Sequence, residues 1–412
     1  MNQIPSLTVR VRRIAPEVAA QRLGSRSADF IFWRETNFVI GEGVAASHSS
    51  ATANRTREHA DWWQLLVKQA QIVDEVGLPG SGLLAFAGLT FSNLSELPSS
   101  LWVAQRTTVQ RGDLAWEVEI DSFDPASSVA RAGSAAAVQP TVTFRAGSQD
   151  EAGFRTAVSE AINRIRAGSL NKVVLARDLI ADLPSGFSPQ AALERLHERY
   201  PTCWNYLIGD QIGASPELLL RAERDEISAR VLAGTAGRGT DPDVDMAIAA
   251  GLRSSLKNLQ EHEFAIDSMV SQLQPISEVV SADPNPHSAA LPDLWHLASD
   301  VTAKLKAGVS VFDAIERIHP TAAVAGTPRQ EALNLIAELE PFDRGGYAGP
   351  VGWLASDGSA EFALALRGGR FESETQLRAF AGSGIVAGSD PESELAETEL
   401  KFQAIRWAVG TQ

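Results

Sequence analysis

Apolar residues recur along the chain with two different periods. In FRTAVSEAINRIRAG, residues 154–168, Phe154, Val158, Ile162 and Ile165 fall at helical spacing, which predicts a helix with one buried stripe. SPQAALERLHERY, 188–200, predicts a second helix, with Ser188 as N-cap and Pro189 at the first helical position. Helical patterns also cover 55–77, 243–273, SVFDAIERI (310–318) and RQEALNLIAEL (329–339). The closing segment DPESELAETELKFQAIRWAV (390–409) is helical too, with Asp390 as its cap. Strands are predicted for NKVVLARDLIADL (171–183), LWHLASDVTAKL (294–305), YAGPVGWL (347–354), AEFALALRGGRF (360–371) and QLRAFAGSGIVAG (376–388). SPELLLRAERDEISARVLAG (215–234) reads as two strands around a polar turn, and LWVAQRTTVQ and LAWEVEI as strands of the N-terminal part. Strands and helices come in mixed runs, without strict alternation, so an α+β fold with largely antiparallel sheet is expected. Residues 126–139, ASSVARAGSAAAVQ, predict a flexible surface connection between an N-terminal and a C-terminal part.

Composition narrows the functional classes. The 412 residues are 44% hydrophobic and 21% charged, enough for a large core and unlike a disordered chain. The formal net charge of -15 disfavours nucleic acid and anionic membranes, whose phosphates call for Lys and Arg. An anionic substrate would need local positive charge or a metal. The single cysteine, Cys203, excludes an intrachain disulfide and a cysteine-based zinc site. The N-terminus has Arg10, Arg12 and Arg13 but no apolar run behind them, and no stretch of about 18 apolar residues occurs. These features predict a cytoplasmic protein with no membrane partner.

Candidate chemistry concentrates after residue 150. Glu394, Glu397 and Lys401 lie at i, i+3 and i+7 on the closing helix and share a face. Such a face is most often a solvated surface with a helix ion pair. Before it, AGSGIVAGSDP brings Gly382, Gly384 and Gly388 to a helix N-terminus, where close backbone approach and free N–H groups suit an anion. It matches neither nucleotide-binding glycine pattern. Glu261-His262-Glu263 lies in a helical stretch; with a carboxylate of the last helix it would suit Mg²⁺, and otherwise it is surface. Lys172 starts an apolar strand, as a base of lowered proton affinity or as an ordinary sheet-edge lysine. Glu217, beside Leu218, Leu219 and Leu220, is an acid of raised pKa or a strand-end carboxylate. Arg367 ends an apolar strand beside two glycines, where a carboxylate-binding fork and a surface arginine fit equally. His319, after a helix, also fits a C-cap.

Together these segments resemble the chorismate-utilising enzymes: isochorismate, salicylate, anthranilate and aminodeoxychorismate synthases. NKVVLAR, ASPELLL, LAGTAGRG, NLQEHEFAID, LWHLASDVTAKL, HPTAAVAGTPR, YAGPVGW, EFALALR and AGSGIVAGSDPESELAETELK follow in the family's order over roughly residues 150–408. The resemblance implies one fold over 1–412, two stacked large antiparallel sheets flanked by helices, with a variable N-terminal portion (1–145). It implies roles as well. Lys172 would activate water for attack on ring carbon C2, and Glu217 would protonate the departing C4 hydroxyl. Glu261 and Glu397 would bind Mg²⁺, with Glu394 near the ion or reaching it through water. Arg367 would grip the pyruvyl carboxylate, Lys401 and the backbone of Gly382 and Gly384 would hold the dianion, and Gly234 and Thr235 would line the ring pocket. His319 would hydrogen-bond near the reacting hydroxyl.

Within the family, Lys172 argues against the ammonia-using anthranilate branch, so no glutaminase subunit is expected. LAGTAGRG resembles the isochorismate branch, and the aminodeoxychorismate branch uses a differently placed lysine. Isomerisation of chorismate to isochorismate is therefore the expected reaction. Salicylate synthesis is the alternative, since that branch shares the lysine and the glutamate; a non-catalytic chorismate-binding protein would have lost one of these groups. HPTAAVAGTPR departs from the commoner HPTPAVGGTP by two small residues. Isochorismate feeds menaquinone and siderophore biosynthesis, and FIFWRETNFVIGEG, 30–43, resembles the menaquinone type. Members of this branch are often monomers, and a monomer is expected.

Overall fold

The computed structural model describes residues 5–25, 27–120, 142–291 and 293–410, without the side chain of Glu261. The connection expected at 126–139 lies outside the described residues.

Two large sheets organise the chain. Thirteen strands among the described residues form the first, one of them, Gly326–Thr327, pairing with Lys172–Asp182 off the main path. Its path runs from Phe144–Ala146 through Lys172–Asp182, Gln376–Ile385, Gly368–Ser373, Gln211–Ser215 and Trp204–Ile208. It continues through Phe30–Arg34, Asn37–Glu42, Arg106–Arg111, Leu114–Ile120 and Thr8–Ile14 to Gln71–Asp74. The second, of ten strands, runs from Ser277–Ala282 through Leu294–Leu305, Glu226–Gly237, Leu218–Glu223, Ala360–Leu364, Pro350–Ala355, Leu84–Gly88 and Ser99–Val103 to Ala46–Ser50, with His287–Ala290 pairing to Leu294–Leu305 off this path. Pairing is antiparallel except between Thr8–Ile14 and Gln71–Asp74. This is the expected α+β arrangement.

The two sheets share a core that includes Phe30, Phe32, Trp204 and Tyr206 from the first and Phe86, Leu219, Val351 and Phe362 from the second. A separate cluster covers the other face of the first sheet. There Leu193 and Leu196 of the helix Pro189–Arg199 and Phe402, Ile405 and Val409 of the helix Pro391–Val409 pack on Ile31, Leu207, Ile212 and Leu377. Being covered on both faces, Lys172–Asp182 is buried at every position but the last, hence its continuous apolar run.

Three patterns break differently from their periodicity. The helix expected over 55–77 ends at Gln69, and Gln71–Asp74 pairs as an edge strand with Thr8–Ile14. The helical run 243–273 is two helices, Pro242–Ser254 and Leu256–Leu273, because Ser255 is extended and caps the second through its side chain. AEFALALRGGRF is two strands in different sheets, divided at Arg367, whose φ is 53°.

Candidate active site

The chain passes between the sheets at two neighbouring points. Pro216 and Glu217 connect Gln211–Ser215 of the first sheet to Leu218–Glu223 of the second. Ala365, Leu366 and Arg367 connect Ala360–Leu364 of the second to Gly368–Ser373 of the first. A backbone bond from Leu364 N to Glu217 O, 3.1 Å, ties the crossings together. Between them opens a cleft of about 660 Å³, part of it continuous with solvent. Val174, Phe380, Gly382 and Gly384 line one wall; Leu232, Gly234, Thr235 and His296 line the other.

Glu217 is 5% exposed. Burial pushes its carboxyl up to about 8, against the opposing pull of Lys172, the Leu232 backbone, Lys401 and Arg367. At neutral pH it therefore carries a proton. Lys172 is fully buried. It lies two residues before cleft-lining Val174 on one strand, so the two share a face. A buried acid that holds its proton thus stands within the field of a buried lysine.

Arg367 lines the cleft from its left-handed crossing. Its Nη2 donates to Nε2 of His296, 2.8 Å away. Burial, Arg367 and Lys401 hold the imidazole well below its ordinary pKa, so the ring is neutral. A neutral ring that accepts at Nε2 carries its proton on Nδ1, which faces Thr235 Oγ1 at 3.1 Å. Gly234, with φ 84°, bends the strand at an irregularity in its pairing and brings Thr235 opposite His296. Tyr347 stacks on Phe380 at 5.2 Å. A Cβ on Gly382 would stand 3.0 Å from the Tyr347 hydroxyl and 3.0 Å from Leu175 O, so glycine there leaves room for that hydroxyl.

The last helix delivers Glu394, Glu397 and Lys401. Lys401 Nζ donates to Glu397 Oε1 at 2.6 Å and to Gly382 O at 2.7 Å, fixing the helix to the cleft wall. Glu394 is buried and pairs with Lys257 at 2.9 Å. Burial, and then the charge of Glu397, raise its pKa. Glu261 lies on the helix Leu256–Leu273, but its side chain is outside the description. Among the described residues no group of three or more His, Cys, Asp or Glu side chains is gathered to hold a metal ion.

Glu217, Gly234, Thr235, Arg367, Gly382, Gly384, Glu397 and Lys401 all line the cleft. Lys172, His319 and Glu394 are not among the lining residues. His319 is the C-cap of the helix Val311–Ile318, as its position also allowed, and its Nε2 pairs with Ala348 O at 2.9 Å. Two other expectations differ from the structure. The N-terminus of the last helix is no open anion site, because Asp390 accepts from Ser393 N and Gly388 lies away from the cleft lining. His262 turns inward to Ala233 O and Ser299 Oγ, while Glu263 faces solvent. The histidine of the cleft is His296. Its signal was an inward position in LWHLASDVTAKL, indistinguishable from core. Tyr347 was likewise hidden in YAGPVGW.

Comparison with known proteins identifies the family. Residues 109–410 match the family model described as chorismate binding enzyme. A Mycobacterium tuberculosis protein provisionally named isochorismate synthase MenF is 37% identical over 290 residues, covering 66% of this chain and 77% of that one. Isochorismate synthase EntC of Escherichia coli is 35% identical over 257 residues, 61% of this chain and 66% of its own length. In structure, the menaquinone-specific isochorismate synthase MenF of Escherichia coli superposes with a TM-score of 0.79, over 99% of this chain and 96% of that one. At 23% identity that last likeness is one of fold. With a match over residues 109–410 and relatives of this similarity, the chain belongs to the chorismate-binding enzyme family.

Proposed function

We propose that this chain is an isochorismate synthase, an isomerase that converts chorismate to isochorismate. One observation carries the reading: Glu217 is buried and holds its proton up to about pH 8, although Lys172, Lys401 and Arg367 all act on its carboxyl. Hydroxide is a poor leaving group, and an acid that keeps its proton at neutral pH answers that problem. Named as isochorismate synthases, the relatives above support the same reaction.

Lys172, entering as the free amine, takes a proton from the water that attacks C2. Glu217 gives its proton to the C4 oxygen as that bond breaks and the ring double bonds shift. One water enters and one leaves, so the mass is unchanged. Arg367, held by His296, binds a substrate carboxylate, and Lys401 adds positive charge near Gly382. Gly234 and Thr235 bound the ring. Water being the nucleophile, no glutaminase subunit is needed, and we expect a cytoplasmic monomer. No helix among the described residues is long and apolar enough to cross a membrane.

Magnesium belongs to this reading. The donor set fits: Glu394 and Glu397 are carboxylates one turn apart, close enough that the charge of one raises the pKa of the other, and a divalent cation relieves such a pair. Mg²⁺ takes one or two carboxylates and keeps several waters. Glu397 and Glu261 would hold it, with Glu394 near or through water. When bound, it would neutralise and orient the ring carboxylate of the substrate.

The test is incubation with chorismate and Mg²⁺, with an EDTA control and mass-resolved chromatography. A product of unchanged mass and new retention, absent with EDTA, is the expected result. Salicylate and pyruvate as main products would move the chain to the lyase branch. Absence of turnover would leave a binding protein.

A further inference from the structure

Each carboxylate of the acidic pair already has a lysine. Lys401, which serves Glu397, is on the same helix. Lys257, which serves Glu394, comes from the first turn of the helix Leu256–Leu273, one turn before Glu261. The partners are unequal: the Glu394 side chain is 2% exposed and that of Lys257 is 39% exposed. A carboxylate held out of water needs a counter-charge. The glutamate is fixed in the packed interior of its helix, whereas the ammonium reaches in from solvent on a flexible four-carbon stem. The lysine can withdraw; the carboxylate cannot.

We propose that Lys257 is a built-in counter-ion that competes with the divalent metal for Glu394. It compensates the buried carboxylate when no metal is bound, and it gives way when the ion arrives. The inference rests on the metal-dependent reading above. Its consequence is a site that holds metal loosely by itself. A dianionic substrate, whose charges favour the ion, then tightens it, so that metal and chorismate bind best together.

The test compares Mn²⁺ affinity, by calorimetry or by electron paramagnetic resonance, in the unaltered protein, Lys257→Met and Lys257→Arg. Lys257→Met should bind Mn²⁺ about tenfold more tightly at low ionic strength, with the gap narrowing in high salt. Saturating metal should also raise its melting temperature by more than that of the unaltered protein. Lys257→Arg keeps the charge and should stay near the unaltered affinity. Should Lys257→Met fail to fold, labelling decides: reductive methylation of the unaltered protein, read by peptide mass spectrometry, should modify Lys257 faster with saturating Mg²⁺ than without. Equal or weaker metal binding by Lys257→Met, or an unchanged labelling rate, overturns the inference. Absence of metal binding by the unaltered protein overturns it together with the metal reading; normal binding there with no effect of Lys257 overturns it alone.

Discussion

Glu217 shows how opposing effects are weighed at one carboxyl. Three basic side chains lower its pKa, yet loss of water raises it more, to about 8. The protonated form is the one that can donate. Turnover should therefore fall as pH rises through about 8, roughly tenfold per further unit, in a kcat profile from pH 6 to 9.5. A profile flat to pH 9.5 would remove Glu217 from the acid's role. Glu217→Gln mimics the neutral carboxyl in shape, so it should fold normally and lose about 10²-fold or more in kcat. His296 is the converse case. It is held neutral and accepts from Arg367, so it acts through that arginine. His296→Ala should raise KM for chorismate about tenfold, the cost of a lost bond to a charged group. His296→Gln, which retains an acceptor, should recover part of the loss. Neither change should move the limb near pH 8; a shift there would mean that His296 itself titrates in the reaction.

Elements hold these residues through buried polar joints. Arg344 follows the helix Arg329–Leu339. Its Nε and Nη2 donate to Glu340 at 2.8 and 2.5 Å. It also donates to Val324 O and Val174 O, while Glu340 accepts from Ala176 N at 2.8 Å. Val174 and Val324 both line the cleft, so this pair clamps the Lys172 strand to the opposite loop. Both side chains are nearly inaccessible. Glu340→Ala would leave the guanidinium buried and uncompensated, at a cost of about 3–5 kcal/mol. Chemical denaturation should report that loss, and a change within about 1 kcal/mol would show that water takes the place of the carboxylate.

At the scale of the molecule, function arises where the chain changes sheets. Glu217 and Arg367 are about 150 residues apart in sequence, yet each sits at a crossing, and the crossings are bonded to each other. A strand interior has its backbone committed to the ladder and its side chains to one of two faces. A crossing frees the side chain to point along the gap between sheets. The left-handed φ of Arg367 is one cost of that arrangement, of order 1–3 kcal/mol. Within the acidic molecule the cleft gathers Arg367 and Lys401 into one lining, which supplies the local positive charge that an anionic substrate needs.

Much of this was legible in the sequence, for physical reasons. Segments with a strong single period, such as 154–165 or 376–385, formed the expected element, because burial of one face fixes the conformation locally. Caps at Ser188 and Asp390 were readable, since a cap acts within three residues. The motifs of the resemblance identified the family, and most of their polar residues converge on one cleft. Other features were decided only by tertiary structure. Helical periodicity past Gln69 yielded to a partner strand far away in the chain, and AEFALALRGGRF reads as one strand until a second sheet claims its first half. The sequence singled out His319 and not His296. That His296 meets Arg367 in the cleft while His319 bonds Ala348 O was decided only by the folded chain. The raised pKa of Glu217 is a property of the closed gap between two sheets, because desolvation comes from every element packed around the carboxyl and from no residue beside it in the chain.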